Sequence, residues 1–189
     1  MSDILEHARE DETVDNPQRE AGVREYLFED DGRIPNNPEL PLLVYQQVLS
    51  DPERHPSHCK KLFAENGWGG AWVDGVFSYH HYHSTSHEVL VVVDGRARIA
   101  FGGPDGVRVE MEAGDAVVIP AGVGHRNEGS SDDFSVVGAY PRGQEDYDLR
   151  TGEEGERPQV LENIRNVSLP EADPVFGDDG PLSRHWTVE

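Results

Sequence analysis

Cysteine occurs once in this chain of 189 residues, at Cys59, and lysine only twice, at Lys60 and Lys61. A single thiol excludes an internal disulfide and a thiolate-rich metal site, so any metal ligands must be nitrogen or oxygen. No run of roughly eighteen apolar residues is present, which excludes an ordinary spanning helix. The opening stretch MSDILEHARE carries charge where a secretory leader needs an apolar centre. We therefore expect a cytoplasmic protein with no membrane partner. Basic charge is scarce: 16 Lys and Arg stand against 37 Asp and Glu, a formal net charge of −21. Such a field repels polyanions, and no basic helix is visible, so no nucleic-acid partner is expected. Acids recur along the whole middle of the chain, at Asp94, Asp105, Glu110, Glu112, Asp115, Asp132 and Asp133. Acidity spread over a surface nearly devoid of lysine points to a halophilic protein, because salt screens the self-repulsion that otherwise strains the compact state.

What is present organises the chain into one domain with polar extensions. Residues 1–22 hold seven acids and few large apolar side chains, and are expected to be a mobile acidic tail. Residues 23–189 are expected to make a single domain. REYLFEDDGRIPNNPELPLLVYQQVL predicts a short strand, a proline-rich turn and a second strand within Leu40 to Leu49. LPLLVY would be a sticky edge if exposed, so it should pair with its own sheet or with a second copy, which favours a homodimer. PSHCKKLFAENG predicts a short helix capped by Ser57 and stopped at Asn66-Gly67, with Cys59 as a buried small apolar residue. From Trp68 to Tyr140 short β-rich runs alternate with glycine turns, which argues for an antiparallel sandwich or barrel. The remainder is acidic and rich in Gly and Pro, with one strand or helix near Val160 to Val167.

Four of the nine histidines lie in YHHYHSTSHE, Tyr79 to Glu88. Alternate strand residues share a face, so His81 and His83 point the same way, close enough for both imidazoles to reach one ion. His80 and Tyr82 face away. Glu88 follows His83 at odd spacing, so Ser84-Thr85-Ser86 must turn the chain and Glu88 must start a new strand. In that strand Leu90 and Val92 follow Glu88 inward. Val89, Val91 and Val93 are apolar too, which predicts burial on both faces in a closed or double-layered β structure. A second segment, GDAVVIPAGVGHR, runs an apolar strand into a sharp Pro120-Ala121-Gly122 end and delivers His125. Phe77 and Tyr79 share parity with His81 and are expected inside, Phe77 as core. Trp68 and Trp72 are expected to be packing anchors.

The spacings Gly75-x5-His81-x-His83-x4-Glu88-x6-Gly95 and Gly114-x5-Pro120-x-Gly122-x2-His125 resemble the two motifs of the cupin superfamily, over residues 75–127. One position departs: the second motif usually ends in Asn four residues after its histidine, where this chain has Gly129, with Asn127 two residues earlier. IPNNPELPLL, FSYHHYHSTSHEVL and DPVFGDDGPLSRHW extend the likeness to the single-domain, YjlB-like cupins. The resemblance implies an all-β fold, a single jelly-roll β-barrel with a short helix and irregular terminal extensions. It also implies one divalent transition metal held by His81, His83, Glu88 and His125, with Fe, Mn, Ni, Cu and Zn all compatible. In six-coordinate geometry such a set leaves two adjacent positions open.

Two functions follow from this ligand set. One is a metal-dependent enzyme, an oxygenase or isomerase acting on a small oxygen-bearing molecule, with Tyr79 as the candidate for proton transfer or substrate orientation. The other is a non-catalytic module that binds or senses a small ligand. Either way the partner is a small molecule.

Overall fold

In the strand Glu88–Asp94 every residue but the last is buried, although its side chains alternate between two faces. That double burial fixes its place in the interior of the molecule. The computed structural model describes residues 22–187, so the tail expected over 1–22 lies outside the described residues except for Gly22. Strands β1 (Val23–Tyr26) and β2 (Leu42–Tyr45) come first, followed by helix α1 (Pro56–Glu65). Strands β3 (Trp68–Asp74), β4 (Glu88–Asp94), β5 (Arg96–Phe101), β6 (Val107–Glu112), β7 (Ala116–Ile119), β8 (His125–Ser130) and β9 (Ser135–Pro141) follow. Two short helices close the chain, α2 (Gln159–Asn166) and α3 (Pro181–His185). The sheets are antiparallel, one of six strands in the order β1-β2-β7-β4-β9-β3 and one of three in the order β6-β5-β8. This is the expected jelly-roll class.

One core lies between the sheets. Leu90 and Val92 of β4 and Val117 and Ile119 of β7 meet Ile99 and Phe101 of β5 and Val109 and Met111 of β6. The opposite face of the large sheet carries Val89, Val91 and Val93 with Val118, and no further β layer among the described residues covers it. Cys59 and Phe63 of α1 and Leu182 and Trp186 near the C-terminus pack there instead. At about 1.5–3 kcal/mol for each fully buried large apolar side chain, both faces contribute to stability on the same scale. The C-terminal segment is tied down by polar contacts as well. Asp173, fully buried, accepts from Tyr45 Oη at 2.5 Å and from the backbone N–H groups of Val175 and Leu182, and Trp186 Nε1 donates to the Pro41 carbonyl.

Several local expectations shift. α1 begins one residue before Ser57 because Pro56, with its pre-set φ, takes the first helical position. His55 is therefore the cap, its Nδ1 accepting from Ser57 N–H. β2 is flanked by β1 on one side and β7 on the other, so the LPLLVY run pairs within its own chain. Asp115 is buried rather than part of the acidic surface, and accepts from the backbone N–H groups of Gln47 and Glu112 at 2.9 Å each. Cys59 is buried as expected, and burial pushes its thiol up to about 11. The ambiguous stretch near Val160 is helical. No helix among the described residues is long and apolar enough to cross a membrane.

Candidate metal centre

Residues 76–87 form no regular strand. Reciprocal backbone pairing within this stretch occurs at two points, and these suffice to impose the alternation. His81 exchanges two backbone hydrogen bonds with His125, at 3.2 and 2.9 Å, and Tyr82 exchanges two with Arg150, both at 2.9 Å. His81 and His83 thus share one direction while Tyr82 turns the other way, fully buried, its hydroxyl donating to Glu156 Oε1. The turn after His83 is made by a residue far along the chain. Asp148 Oδ1 accepts from Ser84 N–H at 2.6 Å and Asp148 Oδ2 from Ser84 Oγ at 2.5 Å. Glu88 then opens β4 opposite Ile119, and His125 opens β8 opposite Phe101.

The end of β7 is held equally tightly. Gly122 N–H donates to the His83 carbonyl at 2.8 Å, which joins the two histidine segments. Gly122 has φ +92°, and a Cβ there would lie 2.5 Å from the Asn36 carbonyl oxygen, so glycine is required on both counts. Buried Asn36 and Asn37 support the same turn: Asn36 Oδ1 accepts from Gly124 N–H and Asn37 Nδ2 donates to the Ala121 carbonyl. His87, also buried, uses Nδ1 to accept from Ala121 N–H at 2.9 Å and packs its ring on Trp186. It is a prop for the turn and not a member of the cluster.

His81, His83, Glu88 and His125 therefore meet in one place, each no more than 6% exposed. The ring centroids lie 4.0 Å apart for His81 and His125, 5.7 Å for His83 and His125, and 6.1 Å for His81 and His83. Each Nδ1 contacts a backbone carbonyl: Tyr79 for His81, Asp148 for His83, Val123 for His125. A carbonyl can only accept, so each Nδ1 carries the proton and Nε2 is the atom left to face the cluster. Glu88 spans two of these atoms, with Oε2 3.3 Å from His83 Nε2 and Oε1 3.4 Å from His125 Nε2. The three buried imidazoles form a group able to hold a metal ion.

The electrostatics follow from burial and this pairing. Burial, reinforced by His125, pushes His81 down to about 3, so its ring is neutral. Burial acts against the Glu88 carboxylate, but the His83 and His125 imidazoles outweigh it and hold the group ionised below the usual carboxylate range. Burial likewise opposes charge on His83, yet the Glu88 carboxylate and the Asp148 carbonyl raise its pKa above the ordinary value.

Other expectations fare differently. Tyr79 does touch the cluster, its ring 5.7 Å from that of His81, but it is 43% exposed. Phe77, expected in the core, is 51% exposed and lies against Tyr79 at 5.0 Å and His81 at 5.2 Å. Without a continuous strand to carry them inward, both stand at the mouth. His80 faces away, half-buried, its pKa lowered by burial and then by Arg126. Asn127, at the departure from the usual motif, is bound by its N–H to the Phe77 carbonyl and by its Oδ1 to Gly129 N–H. Trp72 is an anchor, but one that donates Nε1 to the Tyr140 hydroxyl. Sequence reasoning missed Tyr140 and Tyr147. They stack at 4.1 Å, with ring centroids 6.0 and 4.9 Å from His83. Burial first, then the Glu88 charge, raises the Tyr140 pKa, which keeps its hydroxyl protonated beside that carboxylate. Only contact across the fold reveals this pair, because Tyr140 ends a β-rich run while Tyr147 lies in an acidic stretch with the composition of a loop.

Known proteins resemble this chain at several levels of similarity. The profile described as "Cupin domain" matches residues 69–137. The uncharacterised protein YjlB of Bacillus subtilis (strain 168) is 46% identical over 167 residues, covering 88% of this chain and 98% of that protein. Among solved structures, acireductone dioxygenase from Bacillus anthracis, with a cadmium ion in its active centre, is 20% identical over 66% of this chain and 81% of that one, with a TM-score of 0.37. Procruciferin, the 11S globulin of Brassica napus, is 15% identical over 75% of this chain, also with a TM-score of 0.37, and the matched region spans 36% of the globulin.

Proposed function

The chain belongs to the cupin superfamily, in its YjlB-like group, and from that premise we propose that it is a metal-dependent enzyme acting on a small oxygen-bearing molecule by oxygenation or isomerisation. His81, His83, Glu88 and His125 would hold one divalent transition metal. The observation that carries this reading is the set of three Nδ1 atoms committed to backbone carbonyls, which leaves Nε2 of each ring for an ion beside a charged carboxylate. Nitrogen and oxygen donors of this kind suit Fe(II), Mn, Ni, Cu and Zn alike. When bound, such an ion supplies Lewis acidity toward a carbonyl or enolate oxygen, or a redox centre. The protein's own groups supply the remainder. Burial keeps water from the ligands and strengthens every charge interaction among them. Tyr79, leaning on His81, orients the substrate or exchanges a proton with it. The Tyr140 hydroxyl, engaged by Trp72, braces Glu88.

The exposed mouth favours a second reading, a non-catalytic module that binds or senses a small ligand. Two experiments decide. Metal analysis of protein purified anaerobically from its own cells should give one transition metal per chain, and His83→Ala and His125→Ala should each abolish stoichiometric metal; full occupancy in both variants would refute the site. Oxygen uptake and product formation are then followed with small diols, keto acids and sugars on the iron, manganese, nickel and zinc forms. Micromolar binding without conversion in any form would favour the module. The same proposal takes residues 23–189 as one domain of a cytoplasmic, salt-adapted homodimer. With β2 flanked on both sides by its own chain, self-association would use the outer strands β1 or β3. A light-scattering mass near the 21.0 kDa of one chain would overturn the dimer.

A further inference from the structure

Eight large apolar side chains are exposed among the described residues, and four of them, Phe77, Tyr79, Tyr147 and Leu149, are clustered in two short segments that reach the same site. Phe77 and Tyr79 stack at 5.0 Å with an interplanar angle of 16°, and both set their rings edge-on to His81. Tyr147 stacks on Tyr140 at 4.1 Å and 21°, and sets its ring edge-on to His83. One aromatic pair thus leans on one imidazole and a second pair on its neighbour, with the exposed members outermost. Leu149 adjoins Asp148, whose carbonyl holds His83. Leaving such surface in water forfeits burial free energy, and a patch of this kind placed directly over buried polar donors has the make-up of a ligand site: apolar walls and a few convergent polar groups.

Resting on the metal-centre reading above, we propose that this rim selects the substrate class: a small molecule with a planar aromatic body and two adjacent oxygens, the ring lying against Phe77, Tyr79 and Tyr147 while the oxygens reach the His81, His83, Glu88 and His125 cluster. Aromatic rings pack on one another in offset or edge-on arrangements that add to simple area burial, so a flat aromatic body gains from this rim what a chain of similar donors does not. The commitment is to a small molecule because the exposed rings touch the imidazoles themselves. A second copy of the chain would gain nothing from the polar donors beneath them.

The test uses two chelators that present the same two oxygens, benzohydroxamate and acetohydroxamate, titrated into the zinc-loaded protein by calorimetry. Benzohydroxamate should bind about tenfold more tightly. Phe77→Ala and Tyr147→Ala should each remove most of that difference, leaving zinc content and acetohydroxamate affinity unchanged. Equal affinities in the unmodified protein would overturn the inference while sparing the metal centre, as would rim variants that weaken both chelators alike. Failure of both chelators to bind a zinc-loaded protein would overturn the inference while sparing the metal centre, and failure to load zinc would remove the metal reading and this inference with it. If the two variants change the light-scattering mass and leave both affinities alone, the rim is an interface between copies and the inference falls.

Discussion

The main-chain carbonyl of Asp148 accepts the Nδ1–H of His83 across 65 residues of sequence, and the carboxylate of the same residue ties down the turn that follows the histidine. One residue thus fixes both the tautomer of a candidate ligand and the path that leads on to Glu88. Thr85 adds to the tie through its N–H and Oγ1, each 3.2 Å from Asp148 Oδ1. Asp148→Ala keeps the carbonyl but frees the turn. Groups that orient metal ligands from behind are typically worth about 10–100-fold in affinity, so zinc affinity by chelator competition should fall by that order. An unchanged affinity would mean that the loop does not position His83.

Metal affinity should also depend on pH with a definite sign. His83 has its pKa raised by the Glu88 carboxylate, so at and below neutral pH its ring tends to hold a second proton, and an ion can bind Nε2 only by displacing it. His81, at about 3, offers no such competition, and Glu88 stays ionised. Apparent affinity should therefore fall by about tenfold per pH unit below the pKa of His83, one proton being released for each ion bound. Calorimetry in buffers of different ionisation enthalpy counts that proton. A flat affinity between about pH 5 and 7, the range in which an ordinary imidazole titrates, would contradict the pairing of His83 with Glu88.

The sequence displays the candidate donor set because each member obeys a local rule. His81 and His83 alternate around Tyr82, Ser84 to Ser86 turn the chain, and Pro120 to Gly122 end a strand just before His125. What holds the donors could not be read locally. The Asp148 and Arg150 contacts come from a stretch, PRGQEDYDLR, with the composition of an exposed loop. Parity placed Phe77 and Tyr79 inside only on the assumption of a continuous strand, yet the reciprocal β-bridges in that segment are those of His81 and Tyr82, and Phe77 is held by a single backbone bond from Asn127. The covering of the outer valines failed to show for a similar reason. Helix α1 and the C-terminal segment reach β4 from opposite ends of the sequence, and no short-range pattern joins them.

That C-terminal segment should behave as part of the core. Asp173 gathers the Tyr45 hydroxyl and the N–H groups of Val175, Phe176 and Leu182 around one buried carboxylate. Asp173→Ala would leave several buried donors without partners, each costing about 1–3 kcal/mol, so urea unfolding should show a loss of about 3 kcal/mol or more. Asp173→Asn keeps an accepting oxygen and should lose less. Equal, small losses in both variants would show that the segment is only loosely attached.

Tyr79→Phe separates positioning from ligation. The hydroxyl is not among the candidate metal donors, and the ring contact with His81 survives the substitution. Metal content should stay at its unmodified level while kcat falls and KM changes little, the pattern left by removal of a contact made in the transition state. A loss of metal instead would make Tyr79 a support of the cluster. Unchanged turnover would make the Tyr140 hydroxyl, beside Glu88, the next candidate for proton transfer.

Stability should fall as salt is removed. Asp94, Asp105, Glu110, Glu112, Asp132 and Asp133 are all exposed, and with two lysines in the chain few cations are available to pair with them. Where arginines do reach these acids they are shared: Arg98 lies between Glu110 and Glu128, and Glu128 is already engaged by Arg108. At about 1 M salt the screening length is about 3 Å, shorter than most distances between surface charges; at about 0.01 M it is about 30 Å, comparable with the whole domain. The formal charge of −21 then repels itself across the molecule, and unfolding relieves the repulsion by spreading the charges apart. Melting temperatures measured between those two salt levels should drop steadily toward the lower one. Potassium chloride and sodium chloride should act alike if screening is the cause, and a melting temperature that stays flat across the range would remove the halophilic reading.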